Sequence, residues 1–276
     1  MAIRRQYLDI DFEGFSPISM HGLLYSTFDE DKSPLIFKKE IDNQLIAKVP
    51  FNNHIKHYLC KIRKEQPLKL TQKGNLPRKF CRELLEHEFF VDESSEKYLK
   101  KHPLMKERDS YYINLINILT ELCGFTKKVH GEKTLTNKCI KLLELESSYE
   151  LYRNIFLAYT GKFNWGYSDL YPESWIIQGG FGFSIFLVQK YGDKARDISF
   201  YSEKFLGAFP ITIHEFSDNP YFSREHQFQN CYYIRMFERF LYIFGLIDME
   251  RKGKFPSEER IIKKKKLLDQ IIKWKI

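Results

Sequence analysis

Apolar residues at Ile55, Tyr58, Leu59 and Ile62 recur at the three- and four-residue steps of one helix face, which predicts a helix over residues 54–66. Leu68-Lys-Leu-Thr71 reads as a short strand, and Gly74-Asn75 permits a tight turn. A second helix, Pro77 to Glu86, carries Phe80, Cys81, Leu84 and Leu85 inward, with Pro77 in the first turn, where its missing N–H is harmless. A third, Tyr111 to Cys123, carries a stripe of Leu115, Ile118, Leu119 and Leu122, leaving Ser110, Asn114, Asn117 and Glu121 on the outer face. Gly124 ends it. Phe125 to Thr136 then alternates as two strands around His130-Gly131-Glu132, and Thr136-Asn137 starts a closing helix through Leu142 and Leu143.

Flanking patterns are shorter. Leu8, Ile10 and Phe12 alternate with Asp9 and Asp11 as in a half-exposed strand, and Ser16-Pro17 starts a helix bearing Met20, Leu23 and Leu24. Asp9, Asp11 and Glu13 would share one strand face, where they either hold a hard cation or simply meet water, as alternation alone would place them. The polar stretch Val91 to Arg108 exceeds an ordinary connector and reads as an insertion. Towards the C-terminus, a helix from Cys231 to Phe244, Gly245, an apolar run from Leu246, a Lys252-Gly253 turn and a terminal helix repeat the order helix, glycine, hairpin, helix. Tyr233, Met236, Phe237, Phe240, Leu241 and Phe244 stand at helical spacing, which a bulky core explains without a ligand, the alternative being an exposed base-stacking or small-molecule surface. Gly179-Gly180-Phe181-Gly182 lacks the Lys-Ser/Thr of a phosphate-binding loop, so close helix packing or a kink is the better reading.

The segment LTELCGFTKKVHGEKTLTNKCIKLLE, with the elements before it, resembles a winged-helix domain over roughly residues 52–145. FSPISMHGLLY and LKLTQKGNLPRKFCREL are also similar to stretches in a family of uncharacterised bacterial proteins, some encoded with or fused to plasmid-type accessory domains. The expected fold class is mainly α with short β-hairpins: a winged helix-turn-helix-like domain and a second helical domain that either repeats its outline as a second winged-helix-like unit or is plainly helical. Residues 1–50 are expected as an extension packed on the first domain, 51–148 as the winged-helix-like domain and 149–276 as the aromatic-rich helical domain.

The net charge of +8 changes meaning once mapped. Ten Lys/Arg against three Asp/Glu lie in residues 251–276, leaving 34 against 33 before them, so basic character belongs to the tail and a global charge argument for nucleic acid is weak. The five cysteines are scattered without a CxxC pair, which indicates neither a disulfide framework nor a zinc ribbon and fits buried thiols. No apolar run approaches the roughly 18 residues needed to cross a bilayer, and no leader pattern opens the chain, so a cytoplasmic location is expected.

Resemblance to a winged helix implies that the third helix offers side chains to DNA bases. Here Asn114 and Asn117 could each pair with adenine, but Glu121 would face phosphates and no Arg or Lys is present. Lys127, Lys128, His130 and Lys133 on the hairpin, with Arg78, Lys79 and Arg82 on the preceding helix, would contact phosphates; equally, the lysines could only solvate a hairpin edge. Lys263, Lys264, Lys265 and Lys266 interrupt Ile261, Ile262, Leu267, Leu268, Ile271, Ile272 and Trp274 in an expected basic amphipathic helix, which either docks its apolar side or touches nucleic acid, an acidic partner or a membrane surface. His54, His57 and Cys60 drift around their helix, a poor metal set. The expected function is DNA binding of winged-helix type through backbone phosphates of double-stranded DNA, in regulation or mobile-element biology and without a cofactor. The alternative is a protein-interaction or self-association scaffold. An enzyme using His214, Glu215 or His226 is a third reading, without a recognisable catalytic motif behind it.

Overall fold

The stripe Ile55, Tyr58, Leu59 and Ile62 is wholly buried, on a helix that runs Pro50–Glu65. The computed structural model describes residues 11–39, 41–86, 106–145, 147–167, 169–253 and 259–275. They are mainly helical, with short antiparallel sheets. Backbone contacts divide the chain into two units, Asp42–Phe163 and Asn164–Ile276 with Met1–Ile41.

Within Asp42–Phe163 the order is helix Pro50–Glu65, strand Leu68–Lys69, helix Arg78–Leu85, helix Tyr111–Leu122, strands Thr126–Val129 and Glu132–Leu135, then helices Asn137–Glu144 and Ser148–Gly161. Glu132–Leu135 is the central strand, antiparallel to both others, with Lys128 opposite Lys133 and Leu68 opposite Lys133 on the other side. His130 and Gly131, at φ 50° and 78°, make the tight turn whose twist suits a two-residue hairpin. Phe80, Leu84, Ile116, Leu119, Phe125 and Phe156 fill the core. The Tyr111–Leu122 helix departs from its expected stripe: Ile113, Ile116, Asn117 and Thr120 are buried as well as Leu115 and Leu119, while Ile118 and Leu122 are half-buried. Neighbours cover it on two sides, and its Asn117 face is an inner one.

The other unit repeats this order. Helix Phe181–Tyr191 is followed by strand Arg196–Asp197, helix Ile198–Ala208, a long helical segment and strands Ile247–Lys252 and Glu259–Lys264, with the last strand again central. The long segment is α-helical over Arg224–Tyr232 and a π-helix over Tyr233–Tyr242. Its Tyr233, Met236, Phe237, Phe240 and Leu241, with Phe244 just beyond, are buried, so the aromatic run is core. Arg235 is buried with Asp169 in a two-pronged pair of 2.6 and 3.0 Å, and it also donates to Pro172 O at 3.0 Å, which ties the segment after Asn164 to the π-helix.

Three expectations need correction. Strand Leu35–Phe37 pairs with Ile272–Trp274, so the N-terminal segment belongs with the C-terminal unit rather than with the first domain, and helix Ser148–Gly161 belongs to the first. Lys263–Lys266 do not share a helix: Lys263 and Lys264 lie in the strand Glu259–Lys264, and Lys266 opens the short helix Lys266–Ile271. Ile261 and Ile262 face Glu250 and Met249 across the hairpin, a pairing that helical periodicity conceals. Asp9 and most of the strand expected over Leu8 to Phe12 lie outside the described residues, as do residues 91–105 of the expected insertion. Asp11 and Glu13 sit in a turn.

Glu13 is drawn inward, accepting from Lys190 at 2.8 Å, Lys204 at 2.5 Å and the Tyr191 hydroxyl at 2.5 Å. Burial opposes its ionisation, but these donors outweigh that and lower its pKa to about 2. Its stabilising contribution is therefore complete above pH 4.5 and is lost as pH falls towards 2. Urea unfolding followed across that window should show Glu13→Gln less stable than wild type at pH 7 by about 1–3 kcal/mol and nearly equal to it at the acid end; a gap that persists undiminished there would refute the assignment.

Gly180 joins the helices Trp175–Gly179 and Phe181–Tyr191, and a Cβ there would lie 2.8 Å from Ile176 O and from the Phe205 ring. Gly207, inside a helix, has open space. Gly180→Ala should cost about 1–3 kcal/mol in chemical denaturation, whereas Gly207→Ala should add about 0.5–1 kcal/mol. Equal effects at both sites would contradict the packing account.

Candidate nucleic-acid interface

Strand alternation decides which hairpin cations reach solvent. Lys133 and Leu135 point inward from the central strand, while Lys127, Lys128 and His130 are exposed. Lys133 is fully buried: its ammonium donates to Glu121 Oε1 at 2.6 Å, to the Tyr58 hydroxyl at 3.3 Å and to Asn117 Oδ1. Tyr58 also donates to Asn117 Oδ1 at 2.8 Å, and Asn117 Nδ2 donates to Glu107 Oε1 at 2.6 Å. The other Glu107 oxygen accepts from Leu76 N at 2.7 Å. Lys133 and Asn117 are thus corrections: neither can meet a phosphate or an adenine, because both are enclosed in one polar network.

The same network changes the meaning of Glu121. Burial lowers the pKa of Lys133, opposed by Glu121; for Glu121, burial is outweighed by bonds from Lys133 and Lys128, and its carboxyl sits below the usual range. Lys128 reaches Glu121 at 3.0 Å from the solvent side. The acid that was expected to repel phosphates is therefore neutralised from within. Lys128 can turn to an anion without leaving Glu121 unpaired.

Among the described residues, no ion pair engages Lys127 or His130. On the Arg78–Leu85 helix, Lys79 approaches Glu83 at 3.9 Å and Arg82 binds Glu86 at 2.7 Å, whereas Arg78 is exposed without a described ion pair. Asn114 is half-buried near the start of its helix. In the other unit, Lys264 is enclosed by Asp193 at 3.1 Å and Asp269 at 2.9 Å, Lys265 binds Asp248 at 2.9 Å, and Lys263 and Lys266 are exposed.

Beside the hairpin lies a cleft that no single sequence motif marks. Leu70 N donates to Gly131 O at 2.8 Å, which sets the Thr71–Asn75 turn next to the hairpin tip. This turn, Arg78 and residues 106–109 line the cleft, bringing Lys73, Arg78, Lys106 and Arg108 to one rim. Only Arg78 of these four stands out by sequence, since the others lie in separate polar connectors.

The remaining candidates do not converge. His226 stacks on Phe222 at 5.1 Å, His214 is exposed, and the described contacts join neither to Glu215. Among the described residues, no group of three or more His, Cys, Asp or Glu has the geometry to hold a metal ion, His54, His57 and Cys60 included. Burial pushes the thiols of Cys81, Cys123, Cys139 and Cys231 up to about 12, which makes them poor nucleophiles.

Lys133→Ala should destabilise the Asp42–Phe163 unit by about 2–4 kcal/mol, since it strips a buried network of its cation. Lys127→Ala should stay within about 0.5 kcal/mol. Denaturant midpoints for the two variants check this, and a silent Lys133→Ala would show that the network is not structural.

A family model, the Y4jL N-terminal domain, matches residues 47–148, which lie inside the Asp42–Phe163 unit. No curated protein and no solved structure matches the chain.

Proposed function

We propose that Asp42–Phe163 is a winged-helix domain that binds double-stranded DNA mainly through backbone phosphates, with the Thr126–Leu135 hairpin as its wing. The reading is supported by the order helix, strand, helix, helix, hairpin and by the strand order with the last strand central. The observation that carries the function is the wing itself: Lys127, Lys128 and His130 stand exposed at its edge while Glu121 behind them is neutralised by buried Lys133. Side chains of this kind hold position on the duplex and say little about base sequence. With Asn117 enclosed, base readout is confined to the start of the Tyr111–Leu122 helix, near Tyr112 and Asn114. A regulatory or mobile-element role is the setting that fits such a domain.

The other unit, read as a second winged-helix-like fold, shares this charge pattern only in Lys263, which is exposed on its central strand. Its hairpin cations Arg251, Lys252 and Lys265 bind Glu238, Glu250 and Asp248. It instead exposes Ile18, Tyr25 and Trp175, with the two rings 6.0 Å apart. This surface favours a second reading for that unit, in which it engages protein rather than DNA.

Labelled mixed-sequence duplex titrated with protein across a salt series tests the proposal. If about three phosphates are neutralised, the log–log salt slope is about −2.7, and Lys127→Ala with Lys128→Ala should flatten it by about 1.8. Absence of binding at low salt would sink the DNA reading, and concentration-dependent self-association in its place would support the interaction scaffold.

A further inference from the structure

We propose that the cleft lined by the Thr71–Asn75 turn, Arg78 and residues 106–109 is a binding site for a phosphate-bearing ligand of nucleotide size. The site stands on its own geometry and needs no contribution from the wing. Lys73, Arg78, Lys106 and Arg108 border one concavity, and among the described residues none of the four is in an ion pair. Other cations of the unit are matched in part: Lys61 pairs with Glu65 and Glu83, Arg82 with Glu86 and Lys128 with Glu121, while Lys64, Lys69 and Lys127 are exposed without a described ion pair. Four like charges around one cleft repel each other, and an anion between them relieves that repulsion.

The same cleft holds two carboxylates, Glu107 and Asp109, which leave its lining a net charge of +2 (four cations less two acids) and are turned to neutral donors rather than to the four cations. Both oxygens of Glu107 are engaged inward, by Leu76 N and Asn117 Nδ2, and Asp109 Oδ2 accepts from Lys106 N at 2.7 Å. Arg78 is also the first residue of the Arg78–Leu85 helix, whose N-cap is Pro77 and whose first turn no side chain caps. Its leading N–H groups add a partial positive charge at the same rim. The two guanidinium groups offer paired N–H donors that match phosphate oxygens.

Size and polarity narrow the ligand. The cleft measures about 590 Å³, within the usual range for a small-molecule site and more than a lone phosphate fills, and among the described lining residues Leu76 alone has an apolar side chain. The cleft suits a nucleotide unit anchored by its phosphate, whether a link of a DNA strand or a free nucleotide.

The test titrates the full chain with inorganic pyrophosphate by calorimetry. Wild type should bind, Arg78→Ala with Arg108→Ala should weaken binding by about tenfold or more, and Lys64→Ala with Lys141→Ala, at exposed lysines outside both the cleft and the wing, should leave it unchanged. Both arginines are exposed, so the double variant should retain its circular dichroism, and lysine at both positions should restore part of the affinity. No pyrophosphate binding by wild type, or binding indifferent to the arginines, overturns the proposal. Competition then identifies the source: displacement of pyrophosphate by mixed-sequence duplex assigns the cleft to the DNA backbone. Displacement by adenosine diphosphate but not by duplex assigns it to a free nucleotide, an outcome in which the cleft stands even if the wing binds no DNA.

Discussion

The wing proposed for the Asp42–Phe163 unit depends on one buried charge. A lysine ammonium is costly to take out of water unless it finds a carboxylate and enough acceptors to use its protons. Lys133 finds Glu121, Asn117 and Tyr58 together, drawn from two different helices. That requirement fixes the central strand against the Tyr111–Leu122 helix and the Pro50–Glu65 helix, and it sets the register of the hairpin. A one-residue slip would present Thr134 or Glu132 to the same acceptors and expose Leu135.

Much of this architecture was legible because hydrophobic spacing and turn chemistry agree in most places. The helix around Ile55 to Ile62, Gly124 and the His130-Gly131 turn each follow from one local rule, and the elements fall where those rules put them. What escaped was the orientation of polar residues. On the Tyr111–Leu122 helix, Asn117 looks like an outer-face residue if Leu115 and Leu119 define the inside. Ile113, Ile116 and Thr120 define a second inside, and periodicity cannot show that a helix is covered twice. Lys133 was misleading for a related reason: alternation says that it shares a face with Leu135, but its charge suggests solvent. The cleft was invisible for a third reason, since Lys73, Arg78, Lys106 and Arg108 come from segments that only the fold brings together.

The two units show how little an order of elements says about chemistry. Both place the last strand of a three-stranded sheet in the centre, and both precede it with a long helical segment. Yet the second unit resolves its buried charge differently, with Arg235 gripping Asp169 from a π-helix and the hairpin cations Arg251 and Lys252 meeting carboxylates. Topology is shared; the pattern of paired and unpaired charge is not. Function must be argued from the second property.

In the first unit, that pattern forms a continuous line. Leu76 N, Glu107, Asn117, Lys133, Glu121 and Lys128 are joined in sequence by hydrogen bonds and ion pairs, from the cleft at one end to the hairpin surface at the other. Its interior members are enclosed and satisfied, so they hold fixed positions. The cations that face solvent at the two ends are the ones left without partners or with a partner already neutralised. Inside the network two carboxylates, Glu107 and Glu121, meet one buried ammonium, Lys133, so Lys128 completes the charge balance from the solvent side, and the acid behind the basic hairpin is matched before Lys127 and His130 are counted.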